Sequence, residues 1–99
     1  MAYKIIIKEE ARFDTETAYN YYENEREGLG EEFLQELVKT YEKLTNNPNY
    51  YSYIDDQNII RDLKVERFPY VIIYEIVNDN VVIYAIHNTY RHPRRRLKK

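Results

Sequence analysis

Between Tyr70 and Ile86 the chain has almost no polar side chains. Tyr70-Val71-Ile72-Ile73-Tyr74-Glu75-Ile76-Val77 and Val81-Val82-Ile83-Tyr84-Ala85-Ile86 are aliphatic or aromatic at nearly every position, and only Asn78-Asp79-Asn80 separates them. Each run is shorter than an ordinary helix and rich in β-branched and aromatic residues, so both are strands. A strand half exposed to water alternates; these do not, and are therefore expected at the centre of a sheet with both faces covered. The Asn-Asp-Asn turn tolerates positive φ and closes them into a hairpin. The rest of the chain must then supply edge strands and a covering layer.

It does so in a definite order. Tyr3 to Lys8 forms a short strand with Tyr3, Ile5 and Ile7 on one face and Lys4 and Lys8 on the other, joined there by Ile6. From Glu9 to Glu27 the period becomes helical, with Ala11, Thr15, Ala18 and Tyr22 at three- to four-residue steps and Phe13, Tyr19 and Tyr21 widening the stripe. Gly28-Leu29-Gly30 ends that helix, Gly28 suiting the left-handed residue past a helix terminus. A second helix is expected over Glu31 to Asn46. Glu31 and Glu32 sit at the positive end of its dipole, and Phe33, Leu34, Leu37, Val38, Tyr41 and Leu44 form its buried stripe. Asn46-Asn47-Pro48 stops it. After a loop over Pro48 to Asn58, residues Ile59 to Arg67 alternate as a half-exposed strand, with Arg61 and Arg67 on the face that also carries Leu63 and Val65. The order β-α-α-β-β-β predicts an α+β domain in which a helical hairpin packs on a mostly antiparallel four-stranded sheet.

Ninety-nine residues suffice for one domain, 1–99, with residues 94–99 a basic tail of the kind most often found as a solvated end. The charge is unevenly placed. Residues 87–99 carry Arg91, Arg94, Arg95, Arg96, Lys98 and Lys99 and no acid, which leaves nine of the 15 basic residues against all 17 acidic ones in residues 1–86. Such polarisation suits an anionic partner at the C-terminal end, either nucleic acid or an acidic protein segment. With no cysteine there is no disulfide, thiolate nucleophile or cysteine-held metal. The only serine, Ser52, has no partners for a triad in sequence reach. His87 and His92 with Asp55-Asp56 have no metal-site spacing, so no metal and no cofactor is expected. The apolar Ile5-Ile6-Ile7 is far too short for a signal or a membrane span, and a soluble, cytoplasmic protein is expected.

The chain resembles the RelE/ParE toxin superfamily of type II toxin–antitoxin systems, on its ParE or plasmid-stabilisation side. The resemblance rests on element order and on local marks. These are Ala18 and Tyr21-Tyr22 on the first helix, the Gly28-Leu29-Gly30-Glu31-Glu32-Phe33 junction, Asn47-Pro48, Arg61, Arg67-Phe68-Pro69-Tyr70, Tyr74 and Arg91-x-Pro93. Many relatives carry His three residues before that last Arg, where this chain has Asn88, with His87 one step earlier. A one-residue slip in a strand turns a side chain to the opposite face, so the role of that His does not transfer to His87.

The resemblance implies a growth inhibitor held inactive by a cognate antitoxin. Its ParE-like members are thought to act on DNA gyrase without chemistry of their own. Its RelE-like members cut mRNA on the ribosome, for which Arg61, Tyr90 and Arg91 are the catalytic candidates here. RNA cleavage needs a base, an acid and cations facing the phosphorane, and a free tyrosine is a poor base near neutrality unless arginines lower its pKa. The residue-level alternatives are an ion pair of Arg61 with a helix glutamate, Tyr90 as a lid on the core, and His87 and His92 as partly exposed surface residues. A third possibility is a degenerate member acting only through its antitoxin. Arg67, His87, Arg94, Arg95 and Arg96 are candidates for binding target or antitoxin. Most of the 12 tyrosines fall at core spacing, but Tyr50, Tyr51 and Tyr53 crowd a loop and suit a partner surface.

Overall fold

The structure is a computed structural model and describes residues 2–90. Strand β1 is Lys4–Ile7, helix α1 Glu9–Glu25, helix α2 Leu29–Asn46; a single 3-10 turn, Pro48–Tyr50, precedes strands β2, Ile60–Lys64, β3, Tyr70–Val77, and β4, Asn80–Asn88. The strands lie in the order β1-β4-β3-β2. The two apolar strands are thus the central pair. β3 is antiparallel to both β2 and β4, while β1 runs parallel to β4, from Lys4 opposite Asn80 to Ile7 opposite Ile83. Two of three pairings are antiparallel, and the sheet is mixed at the β1 edge.

Both helices cover one face. Ala11 and Ala18 are fully buried, and their small side chains let α1 lie close to the sheet. Asp14 reinforces this contact by accepting the Ile86 N–H at 3.0 Å; burial raises its pKa despite that bond. Phe33, Leu37 and Leu44 of α2 meet Ile72, Tyr74, Val81 and Ile83 of the sheet in the main core. At one end of this core Tyr22, Phe33, Phe68 and Tyr70 form a ring cluster, with Tyr22–Phe68 centroids 4.9 Å apart and Phe33–Phe68 5.3 Å. Desolvation there pushes the Tyr22 hydroxyl up to about 12. The opposite sheet face carries a smaller cluster of Ile60, Val71 and Ile73, with Ile54, Tyr84 and Ala85 against it. A bulge between Ile73 and Tyr74 leaves Tyr84 as the extra residue of β4. Its hydroxyl donates to Glu75 Oε1 at 2.6 Å.

The helix junction is tighter than the glycines suggest. α1 ends at Glu25, and α2 begins at Leu29, two residues before the expected start. Gly28 does adopt the left-handed conformation (φ 89°), but as the residue that opens α2. Gly30 lies inside the helix and is buried. A Cβ there would sit 2.8 Å from Glu23 Oε1 and from two carbons of the Tyr19 ring. Glu23 itself accepts the N–H groups of Gly28 and Gly30, each at 2.9 Å, and so caps α2 from the preceding helix. The half-exposed strand is likewise shorter than its alternation, because the chain leaves the ladder after Lys64.

Candidate functional site

Arg61 stands in β2 opposite Tyr74, on the helix-covered side of the sheet. It makes no ion pair with a helix glutamate. Instead Nη1 donates to the Asn49 carbonyl at 3.0 Å and the Tyr51 carbonyl at 2.6 Å, while Nη2 donates to the Tyr53 hydroxyl at 2.7 Å. The guanidinium also lies 3.9 Å from the centre of the Tyr53 ring. The physical reason lies in the loop: between α2 and β2 the only regular piece is the short 3-10 turn, so carbonyls there need donors, and an arginine fork supplies them. The Tyr74 hydroxyl performs the same task at the loop's start, donating to the buried Pro48 carbonyl at 2.7 Å, and burial drives its pKa well upward.

Arg67 does not share a strand face with Arg61. It sits in the turn between β2 and β3 with φ 74°, a left-handed conformation that an L-residue adopts only at a cost. Its guanidinium donates to Glu32 Oε1 at 2.8 Å and to Glu36 Oε2 at 3.4 Å, and Arg26 joins Glu32 at 3.3 Å. Glu32 and Glu36 are one helical turn apart on α2, so a single arginine spans both. The Arg67 bond holds the Glu32 carboxyl below its usual range, and Glu32 in turn holds the Arg67 proton more firmly. Lys64 secures the same turn through bonds to the Val65 and Phe68 carbonyls, both 3.3 Å.

At the C-terminal end of β4 the faces separate as the one-residue shift requires. Asn88 lies opposite Tyr70 on the core side, its Nδ2 3.4 Å from the Tyr70 hydroxyl. His87 lies opposite Val71 on the other face and is half-buried. Tyr90 is 84% exposed, with its N–H bonded to Asn88 Oδ1, so it is not a lid on the core. Arg61 and Asn88 flank β3 at Tyr74 and Tyr70. Four strand positions separate those levels by about 13 Å, and the Arg61 side chain turns toward the loop. The structure therefore does not gather Arg61 with Tyr90. Arg91, His92, Arg94, Arg95 and Arg96 lie outside the described residues.

Among the described residues no group of three or more His, Asp or Glu side chains could hold a metal ion. No helix is long and apolar enough to cross a membrane. A cleft between the helices is lined by Ile7, Tyr19, Leu34, Leu37 and Tyr41, with Arg12, Glu16 and Glu31 at its polar positions. Burial pushes the Tyr41 hydroxyl up to about 12. Sequence reasoning missed Glu23 and Lys64, whose bonds run to backbone groups and leave no pattern of spacing.

The β-α-α-β-β-β order, with a helical hairpin on one face of a mixed sheet, is shared with a solved toxin–antitoxin structure. The chain superimposes on a solved structure described as "Chromosomal ParDE TA system from P. aeruginosa" with a TM-score of 0.77. That match covers 88% of this chain and 96% of the other at 17% identity, which establishes the common fold. The sequence model of the family described as "ParE toxin of type II toxin-antitoxin system, parDE" matches residues 5–93. The chain belongs to this ParE toxin family. No curated protein matches it by sequence.

Proposed function

We propose that this protein is a growth-inhibiting toxin that acts by binding DNA gyrase and is neutralised by a cognate antitoxin. The observation that carries the reading is the ParE family match, which runs through every element from β1 to the basic tail. The geometry favours binding over cleavage. A nuclease of the RelE kind would need Arg61 facing the scissile phosphate, yet both its terminal nitrogens donate to the loop and its register lies well away from Tyr90. Arg67 is likewise engaged by two carboxylates. The sequence offers Arg91, Arg94, Arg95 and Arg96, together with the half-buried His87 at the end of β4, as candidates for that binding.

The test runs two reactions in parallel: DNA supercoiling by gyrase, and translation on ribosomes with the mRNA mapped afterwards. Inhibited supercoiling with intact mRNA, relieved by the antitoxin, is the expected result. Codon-aligned mRNA cleavage that disappears in Tyr90→Phe would overturn the proposal in favour of an endoribonuclease.

A further inference from the structure

We propose that the loop joining α2 to β2 is a preorganised docking surface, centred on Tyr50 and Tyr53, for an antitoxin segment that presents arginine or lysine side chains. The inference rests on the toxin reading above and names a second contact region, at the opposite end of β3 from the close of β4.

The loop is built with unusual care for a connection. Residues 47–59 contain no glycine. Tyr74 fixes its start through the Pro48 carbonyl, and Arg61 fixes its middle through Asn49, Tyr51 and Tyr53. Asp55 Oδ1 accepts the N–H groups of Ile59 and Ile60 at 2.9 and 3.0 Å, closing the loop's end. Asn49 Nδ2 reaches across to the Tyr3 hydroxyl at 3.1 Å. A connection this well anchored has every opportunity to turn its rings inward. It does the reverse: Tyr50 is 82% exposed, Tyr53 42% and Ile59 40%. Tyr50 packs only edge-on against Tyr51, at 5.2 Å between centroids.

Rigid, outward-facing tyrosines are what a binding surface uses. Each ring offers large contact area and loses little conformational freedom on binding, and the fixed backbone has already lost its own. Charge selects the occupant. Asp55 and Arg61 both hold the loop together, and Asp62 belongs to β2 on the sheet face opposite Arg61. Asp56 is exposed. Such a surface repels a phosphate backbone and attracts cations, which tyrosine faces also hold. Arg61 already occupies one face of Tyr53, so an incoming cation is directed to the Tyr50 ring and Asp56, with Tyr53 adding contact area. By composition the tail suits acidic groups and the loop suits basic ones, so one partner chain with both kinds of segment can engage both.

The experiment compares wild-type protein with Tyr50→Ala, Tyr50→Phe and Asp56→Lys. Each is expressed alone to score growth arrest, expressed with the antitoxin encoded beside it to score rescue, and titrated with that antitoxin by calorimetry. Tyr50→Ala is expected to arrest growth as wild type does while its affinity falls by about thirty-fold, the scale of an aromatic hot spot. Tyr50→Phe keeps the ring face and stays near wild type, and Asp56→Lys weakens binding. Unchanged affinity in both Tyr50→Ala and Asp56→Lys overturns the inference. So does a Tyr50→Ala protein that binds antitoxin normally but no longer arrests growth, because the surface then belongs to the target. If wild-type protein neither arrests growth nor binds the antitoxin, the toxin reading itself fails, and the variants are not needed to see it.

Discussion

Replacing Gly30 with alanine should destabilise this protein, although the same change in most helices does the opposite. Alanine in place of glycine favours a helix by up to about 1 kcal/mol, and Gly30 lies in the first turn of α2. The new methyl carbon, however, would stand 2.8 Å from Glu23 Oε1 and from Cδ1 and Cε1 of Tyr19. Relieving contacts that close by moving a half-buried ring or the whole of α1 costs about 1–3 kcal/mol. Displacing Glu23 also frees the N–H groups of Gly28 and Gly30, and loss of a helix cap costs about 1 kcal/mol. The balance is a net loss of about 2 kcal/mol, or on the order of 10 °C in melting temperature for a domain of this size. Urea unfolding with an unchanged m-value would report it directly. Glu23→Ala separates the two contributions, since it removes the cap without adding bulk. A Gly30→Ala protein as stable as wild type, or more so, would show that α1 and α2 move apart freely and that the close approach constrains nothing.

Three further outcomes follow from the geometry. Tyr74→Phe leaves the buried Pro48 carbonyl without its donor and should lower stability by about 1–3 kcal/mol in urea unfolding; no loss would mean that water replaces the hydroxyl. Arg67→Ala and Arg67→Gly both remove the ion pairs to Glu32 and Glu36, but only glycine accepts φ 74° without strain, so the glycine variant should be the more stable by about 1 kcal/mol. The reverse order would refute the claim of backbone strain. Burial raises Tyr22 and Tyr41 to about 12, and the Glu75 bond does the same for Tyr84. A raised phenol pKa means that the folded state holds its proton more tightly, so this stabilisation is complete below the ordinary pKa near 10 and is lost as pH climbs toward 12. Phenolate absorbance should therefore rise in two stages with unfolding in the second; a single stage near 10 for all 12 tyrosines would contradict it.

The sequence was most informative where periodicity is tied to burial. The unbroken apolar runs placed β3 and β4 at the sheet centre, and the helical stripe of Phe33, Leu37 and Leu44 marked the core face of α2. The junction was misjudged by two residues because glycine signals a reversal without saying which helix owns it. That ownership was decided by Glu23, several residues upstream, through bonds to backbone. Arg61 illustrates a different gap. Alternation placed it correctly on a strand face, but an arginine's destination depends on which carbonyls lie within reach, and those belong to a loop with no periodicity at all. Arg67 was misplaced because the positive φ that turns it toward α2 breaks the alternation that assigned its face. The displacement of His87 from Asn88 was legible, since a strand's two-residue period leaves no other arrangement.

The parallel pairing of β1 with β4 sets a timetable. Residues 4–7 find their sheet partners only at residues 80–83, far along the chain and beyond every other element. During synthesis α1 and α2 can meet early, because they are neighbours in sequence, but β1 has nothing to pair with until β4 has been made. The sheet therefore closes only after residues 80–83 have been made. The surface that any partner would meet is thereby completed in one late step, when β4 joins β1 to the rest of the sheet, rather than element by element.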